Sequence, residues 1–115
     1  MDILLTNNPL AAERFAARFD VDYRDVTYLD ILTIARDMVH GGAKLFTHPL
    51  SSSLKPNETP YKSIVISSEK HSLDMKSLQI IEGSMSLCKN FPPLGRELTE
   101  NTLRDFMEVD CAIIS

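Results

Sequence analysis

The distribution of apolar and polar positions along the chain predicts strands and helices in turn. Short uninterrupted apolar runs at residues 2–6 and 63–67, each bounded by polar turn residues, are typical of buried strands. Residues 28–40 repeat apolar side chains every three or four positions and end at Gly41-Gly42, which predicts a helix with a glycine stop. The same reasoning predicts helices at 10–19, from Ser72 or Asp74 to 89, and at 99–108, and strands at 20–26, 43–47 and 111–114.

This order of elements predicts a single α/β domain over residues 1–115. Strands that are apolar throughout, without alternation, suit a sheet covered by helices on both faces, and such sheets are mostly parallel. We therefore expect a three-layer sandwich with a mostly parallel, Rossmann-like central sheet. Ligands of such sheets bind at the carboxyl ends of the strands, which here are residues 6–8, 47–49 and 67–68.

Composition narrows the class of protein further. The chain has 115 residues, and its 12 Lys and Arg against 16 Asp and Glu give a net charge of −4, so no basic field favours nucleic acid or anionic lipid. Its longest apolar run, residues 111–114, is far shorter than the roughly 20 residues that span a bilayer. Met1 is followed at once by Asp2, without the pattern of a secretory signal, and the two cysteines form no disulfide framework. We expect a soluble cytoplasmic protein with no nucleic-acid or membrane partner.

The first candidate site follows the first strand. Thr6, Asn7 and Asn8 lead into a helix that begins at Pro9, and free N–H groups at such a junction attract anions. The segment lacks the glycine pattern of a dinucleotide or P-loop site. Asn8 is also a favoured helix cap, so a purely structural role stays open.

The second candidate site is the segment 47–63, which concentrates polar side chains of both charges in one proline-stiffened loop. Its candidate ligand-binding residues are His48, Lys55, Asn57, Glu58, Tyr61 and Lys62. The alternative is a long connection whose polar side chains satisfy its own backbone.

Catalysis and metal binding receive less support. His48 is a candidate general base with Glu58 as its orienting carboxylate, but spacing along a loop does not establish contact between them. The three histidines lack the spacing of metal ligands, and Cys88 and Cys111 lie in apolar patterns typical of inert buried thiols. We expect no metal and no cofactor.

Four segments in the first two-thirds of the chain together resemble a known family. They are LTNNP at 5–9, the helix from Tyr28 to Gly42, LFTHPLS at 45–51, and KPNETPYKS at 55–63, which is the most specific. The family they resemble is GrdX, small proteins encoded beside the glycine, sarcosine or betaine reductase genes of anaerobic, amino-acid-fermenting bacteria. A glycine expected near Ser52 in this family is absent from the chain.

The resemblance implies an accessory or regulatory role in anaerobic glycine or betaine reduction, and it provides no catalytic residue. Our leading expectation is a non-catalytic protein that binds a small zwitterion or anion through the residues named above. Two alternatives stay open: a small hydrolase or transferase with His48 as general base, and an interaction module that docks on a reductase subunit through loop 50–60. A homodimer also stays open, since small α/β domains often cover a sheet edge by pairing.

Overall fold

The computed structural model describes residues 1–51, 55–91 and 98–114. The predicted chain break at Pro92-Pro93 and part of the predicted loop 50–60 lie outside these residues. In chain order the elements are β1 Ile3–Thr6, α1 Pro9–Arg14, β2 Asp20–Tyr23, α2 Tyr28–His40, β3 Ser63–Ile66, α3 Met75–Lys89 and α4 Glu100–Ile114.

The sheet is small and mixed, so the predicted mostly parallel, Rossmann-like sandwich is wrong. Its strand order is β2-β1-β3, with β2 parallel to β1 and β3 antiparallel to β1. An apolar run reports that a strand is buried on both faces and carries no information on its direction. The chain remains an α/β protein, but its ligand-binding geometry does not follow from the parallel-sheet rule.

The direction of β3 follows from the way the chain reaches it. Helix α2 crosses one face of the sheet, and residues 43–47 then run along the outer edge of β3. The connection from there to Ser63 contains no helix within its described residues, whereas a parallel neighbour requires a crossover of that kind. The chain therefore turns back, and β3 begins beside Thr6, where β1 ends.

The predicted strand at 43–47 is wrong, because side chains interrupt its ladder with β3 on both sides of an isolated bridge between Leu45 and Ile66. Two backbone bonds flank this bridge, from the N–H of Phe46 to Val65 O and from the N–H of Ser67 to Lys44 O, both at 2.9 Å. The next donors bond side chains instead: the N–H of Lys44 donates to Ser67 Oγ at 2.8 Å, and the N–H of Val65 donates to Thr47 Oγ1 at 3.0 Å. The segment is held against β3 without forming a regular ladder.

Helices pack on both faces of the sheet. On one face Leu5 and Ile64 pack against α2 and α3. On the other face Leu4 and Val65 pack against α1 and α4. The alternation of neighbouring strand residues between two helical layers explains why β1 and β3 are apolar at every central position.

Helix α4 corrects the prediction of a closing strand at 111–114. The helix continues to Ile114, and it buries Asp110, Cys111 and Ile114, which lie on one helical face. Cys111 and Ile114 pack against Leu4 and Val65. A four-residue apolar run does not distinguish the end of a helix from a strand, and here packing on the sheet selects the helix.

The other predicted elements are confirmed with adjusted ends. Helix α2 spans Tyr28–His40 as predicted and begins with a capping box in which Thr27 and Asp30 bond each other's backbone N–H. Asp74 caps α3 through the N–H of Ser77, whereas α1 ends at Arg14, short of the predicted residue 19. Among the described residues, none of the helices combines the length and apolar character needed to cross a membrane.

Candidate ligand-binding cleft

The β1–α1 junction is built as a structural joint. Asn8 caps α1, because its Oδ1 accepts the N–H of Leu10 at 3.0 Å. Its Nδ2 donates to Met107 O and to Asp110 Oδ2, both at 3.0 Å. The side chain of Asn8 therefore joins α1 to α4 and directs its polar atoms into the protein.

Asn7 joins the end of β1 to the loop that precedes β3. Its Nδ2 donates to the carbonyl oxygens of Val26 and Pro60 at 2.9 Å each. Its Oδ1 accepts the N–H of Lys62 at 2.8 Å. These three bonds fix the position of Pro60 and Lys62 relative to the sheet and leave Asn7 in the scaffold of the site.

Asp110 is the centre of a buried polar network that the sequence reasoning missed. Its Oδ1 accepts the N–H of Ser63 at 3.0 Å, and its Oδ2 accepts the Ser63 hydroxyl at 2.6 Å and Asn8 Nδ2 at 3.0 Å. The Ser63 hydroxyl also bonds Thr6 Oγ1 at 2.7 Å. A carboxylate on the same helical face as Cys111 and Ile114 was the available signal, but it is recognisable only when α4 is extended to 114.

Lys62 is almost completely buried, with 1% of its surface exposed. Its Nζ donates to the carbonyl oxygen of Ser51 at 3.0 Å and lies 5.9 Å from the centre of the Tyr28 ring. Burial lowers the pKa of Lys62 to about 8, and the Asp110 carboxylate opposes this shift. The lysine predicted to hold a ligand is thus placed behind Tyr28, inside the protein.

This burial gives Lys62 a measurable effect on stability. Between pH 8 and pH 10 the unfolded chain still binds the lysine proton that the folded protein has lost. The free energy of unfolding contributed by this group therefore rises with pH, by up to about 1.4 kcal/mol per pH unit. Since burial raises the pKa values of Tyr28 and Cys88 and so opposes this trend, the measurement compares wild type with Lys62→Met by denaturant unfolding.

We expect wild type to gain stability relative to Lys62→Met as the pH rises from 7 to 10. The exposed Lys70 supplies a matched control, and Lys70→Met is expected to follow wild type at every pH. Parallel curves for wild type and Lys62→Met would show that Lys62 titrates normally.

A cleft of about 970 Å³ lies where the β2–α2 connection, the turn before β3 and the end of α3 meet. Its lining is mostly apolar, with charged side chains among the rest. The lining residues are Asp25, Val26, Thr27, Tyr28, Leu29, Asp30, Pro56, Asn57, Thr59, Pro60, Cys88, Lys89 and Phe91. Size and lining match those of small-molecule sites in proteins.

Two residues of this lining each carry an oxygen that is buried without a hydrogen-bond partner: the Tyr28 hydroxyl and Asn57 Oδ1. Tyr28 is 6% exposed and is held at the first position of α2 by the cap at Thr27. Burial raises its pKa well above the ordinary value, and the nearby Cys88 and Asp110 add to the shift, so the phenol stays neutral. A buried oxygen without a partner costs about 1–3 kcal/mol, and such groups are few in native proteins.

The other predicted residues of segment 47–63 serve the loop itself. His48 is exposed, and its Nδ1 accepts the N–H of Leu50 at 3.1 Å. Glu58 Oε1 accepts the N–H of Lys55 at 2.9 Å and closes the turn between them. Within the residues that the structure describes, Glu58 makes no hydrogen bond to His48. The pair proposed as base and orienter is therefore not brought together.

Of the nine predicted ligand-binding residues, Asn57 alone lines the cleft in the described part of the chain. Tyr61 is partly buried with a pKa raised by burial, and Lys55 is exposed. The sequence reasoning missed Tyr28 because the spacing of α2 places it on the apolar face, although a tyrosine at a buried helix position needs a partner for its hydroxyl. The described residues contain no group of three His, Cys, Asp or Glu side chains arranged for a metal ion.

A comparison with family models matches residues 3–115 to the family described as GrdX-like protein. The chain belongs to the GrdX-like family. The match extends past the first two-thirds of the chain and includes α3 and α4, so in this GrdX-like protein the Asp110 network and both sides of the cleft lie within the family match. Searches of curated proteins and of solved structures found no match.

Proposed function

We propose that this protein is a non-catalytic accessory component of glycine reductase systems that binds a small organic ligand in the cleft. Membership of the GrdX-like family suggests the association with glycine reductase systems. The observation that supports ligand binding is that two residues lining one cleft, Tyr28 and Asn57, each carry a buried, unpartnered oxygen, Oη and Oδ1 respectively. A ligand that bonds them recovers the free energy lost when they were desolvated.

The cleft is also built on a rigid frame. Tyr28 is anchored by the capping box of α2, and Asn7 ties the backbone of Val26 and Pro60 to the end of β1. Val26 and Pro60 both line the cleft. A frame that is fixed before binding lowers the entropy lost on binding.

A binding role is favoured over the enzyme alternative by the contacts of segment 47–63. A general base uses the unprotonated ring nitrogen, which in His48 is Nδ1, and this nitrogen accepts the N–H of Leu50 within the loop. Glu58, its proposed orienter, closes the local turn instead. Docking on a reductase subunit and formation of a homodimer remain predictions.

Replacing Tyr28 with phenylalanine tests the proposal through two readouts. We expect Tyr28→Phe to raise the free energy of unfolding of the unliganded protein by about 1 kcal/mol, because a buried hydroxyl without a partner is removed. We expect the same variant to bind ligand roughly 10-fold more weakly, because about 1.4 kcal/mol of hydrogen bonding is lost. The measurements are thermal unfolding and calorimetric titration with glycine, betaine, phosphate, acetyl phosphate and a library of small amines and acids.

Tyr23 provides the matched control. It lies on β2, is 44% exposed and does not line the cleft. Tyr23→Phe is expected to leave both stability and ligand binding unchanged. The proposal fails if no compound raises the melting temperature, or if a compound that does so stabilises wild type and Tyr28→Phe equally.

A further inference from the structure

We infer that the buried end of the ligand is an N–H donor, a protonated amine carried on an apolar body. This inference deepens the proposed function and rests on it, since it names the chemical class that the same cleft takes. Four observations support it: the acceptor at Asn57, the charges that line the cleft, the places of the predicted cations, and the size and character of the walls.

The chemistry of the two unpartnered oxygens favours a donor. Asn57 Oδ1 is an acceptor only, so its missing partner must bring a hydrogen. The Tyr28 hydroxyl both donates and accepts, and it therefore tolerates either kind of group. An ammonium group can donate to either oxygen, whereas a carboxylate or phosphate would turn its lone pairs toward those of Asn57 Oδ1.

The charges of the lining point the same way. Asp25 and Asp30 are exposed in the lining of the cleft, and Lys89 is the cation among its described members. Asp30 also bonds the N–H of Thr27 in the capping box, which fixes its carboxylate at the start of α2. Two carboxylates, one of them fixed, against one lysine favour a cation in the cleft over an anion.

The two lysines predicted to bind an anion, Lys55 and Lys62, lie outside the lining of the cleft. The ammonium of Lys62 bonds Ser51 O and lies against the ring of Tyr28, and it does not line the cleft. Lys55 is exposed and is also outside the lining. The expectation of a small anion at this loop therefore loses the groups on which it depended.

The apolar lining and the volume of the cleft indicate the character of the remainder of the ligand, beyond its ammonium group. Side chains of Val26, Leu29, Pro56, Pro60 and Phe91 give the cleft apolar surfaces, and about 970 Å³ exceeds what a ligand of a few atoms fills. The two oxygens are buried from solvent, so wall side chains must move aside before a head group reaches them. Side-chain rearrangement of this kind is common when ligands and partners bind.

Three probes with one body and different head groups test the inference: 3-phenylpropylamine, 3-phenylpropionate and 3-phenylpropan-1-ol. Their affinities are measured at pH 7 by calorimetry or ligand-observed NMR with wild type, Asn57→Asp and Asn57→Leu. We expect wild type to bind the amine at least 10-fold more tightly than the carboxylate. We expect Asn57→Asp to strengthen amine binding several-fold and Asn57→Leu to weaken it about 10-fold. Asn101→Asp, on the exposed side of α4, is the control and is expected to change neither.

The outcomes separate this inference from the proposed function. Tighter binding of the carboxylate than of the amine, or weaker amine binding by a folded Asn57→Asp, overturns the inference and leaves the cleft as a ligand site. Binding that is equal for all three probes and unaffected by Asn57→Leu overturns it as well. Failure of all three probes to bind wild type counts against both the inference and the proposed function. The wild-type ranking decides the matter even if Asn57→Asp fails to fold.

Discussion

Replacing Asp110 with alanine is expected to lower the free energy of unfolding by about 3–5 kcal/mol. The carboxylate accepts three hydrogen bonds, two from Ser63 and one from Asn8, and is 3% exposed. Its removal leaves the buried N–H of Ser63 without an acceptor and takes away the carboxylate that supports the charge on Lys62. Native domains are stable by only about 5–15 kcal/mol, so a loss of this size is a large fraction of the total.

Chemical denaturation of Asp110→Ala and Asp105→Ala separates the network from the charge of α4. Asp105 lies on the same helix and is exposed, and its replacement is expected to change stability by no more than about 0.5 kcal/mol. Asp110→Asn should also be destabilised, because its amide would present hydrogens to the donors at Ser63. A loss below about 1 kcal/mol for Asp110→Ala would contradict the role assigned to the network.

Replacing Gly42 with alanine is expected to cost about 3 kcal/mol or more. Gly42 has a φ of +104°, where side chains are strained, and an added Cβ would lie 2.2 Å from the carbonyl oxygen of His71. The backbone of His71 is held close to Gly42, because its N–H donates to Gly42 O at 3.0 Å. Moving it away from the added Cβ would break this hydrogen bond. The substitution therefore disturbs the junction between the end of α2 and the segment that leads into α3.

The neighbouring glycine makes the control for this prediction. Gly41 has a φ of −78°, and an added Cβ would lie 3.4 Å from the nearest atom, Met38 O, which a small local shift relieves. Gly41→Ala is expected to change the free energy of unfolding by less than about 1 kcal/mol. Equal losses from the two substitutions, measured by denaturant unfolding, would show that the left-handed backbone at Gly42 is not the cause.

Local signals in the sequence predicted local structure well. The cap at Asn8 with Pro9, and the spacing of α2 up to Gly41, each involve contacts within a few residues, and the structure confirms them. The direction of β3 was not predictable in the same way, because it depends on a connection whose described residues, 48–51 and 55–62, contain no helix. The fate of residues 111–114 likewise depends on packing against Leu4 and Val65, which lie far away in sequence.

The candidate site shows the same division. Composition identified segment 47–63 as polar and charged, but only contacts across the fold separate Asn57, which lines the cleft, from Glu58, which closes a turn. Tyr28 and Asp110 were missed because each lies on an otherwise apolar helical face. The roles of their polar atoms depend on groups that are distant in sequence. For Tyr28 these groups form the cleft, and for Asp110 the group is Ser63.

The side-chain amide of Asn57 reports directly on the central claim, that a ligand occupies the cleft. Its NH₂ group gives its own pair of signals in a ¹⁵N-correlated NMR spectrum, as does the exposed Asn101 on α4. During titration with the three phenylpropyl probes, we predict a saturable shift of the Asn57 signals and of backbone amides at 25–30, with Asn101 unmoved. A spectrum in which Asn57 and residues 25–30 stay in place at saturating probe, or move no more than Asn101, would contradict the assignment of this cleft as a ligand site.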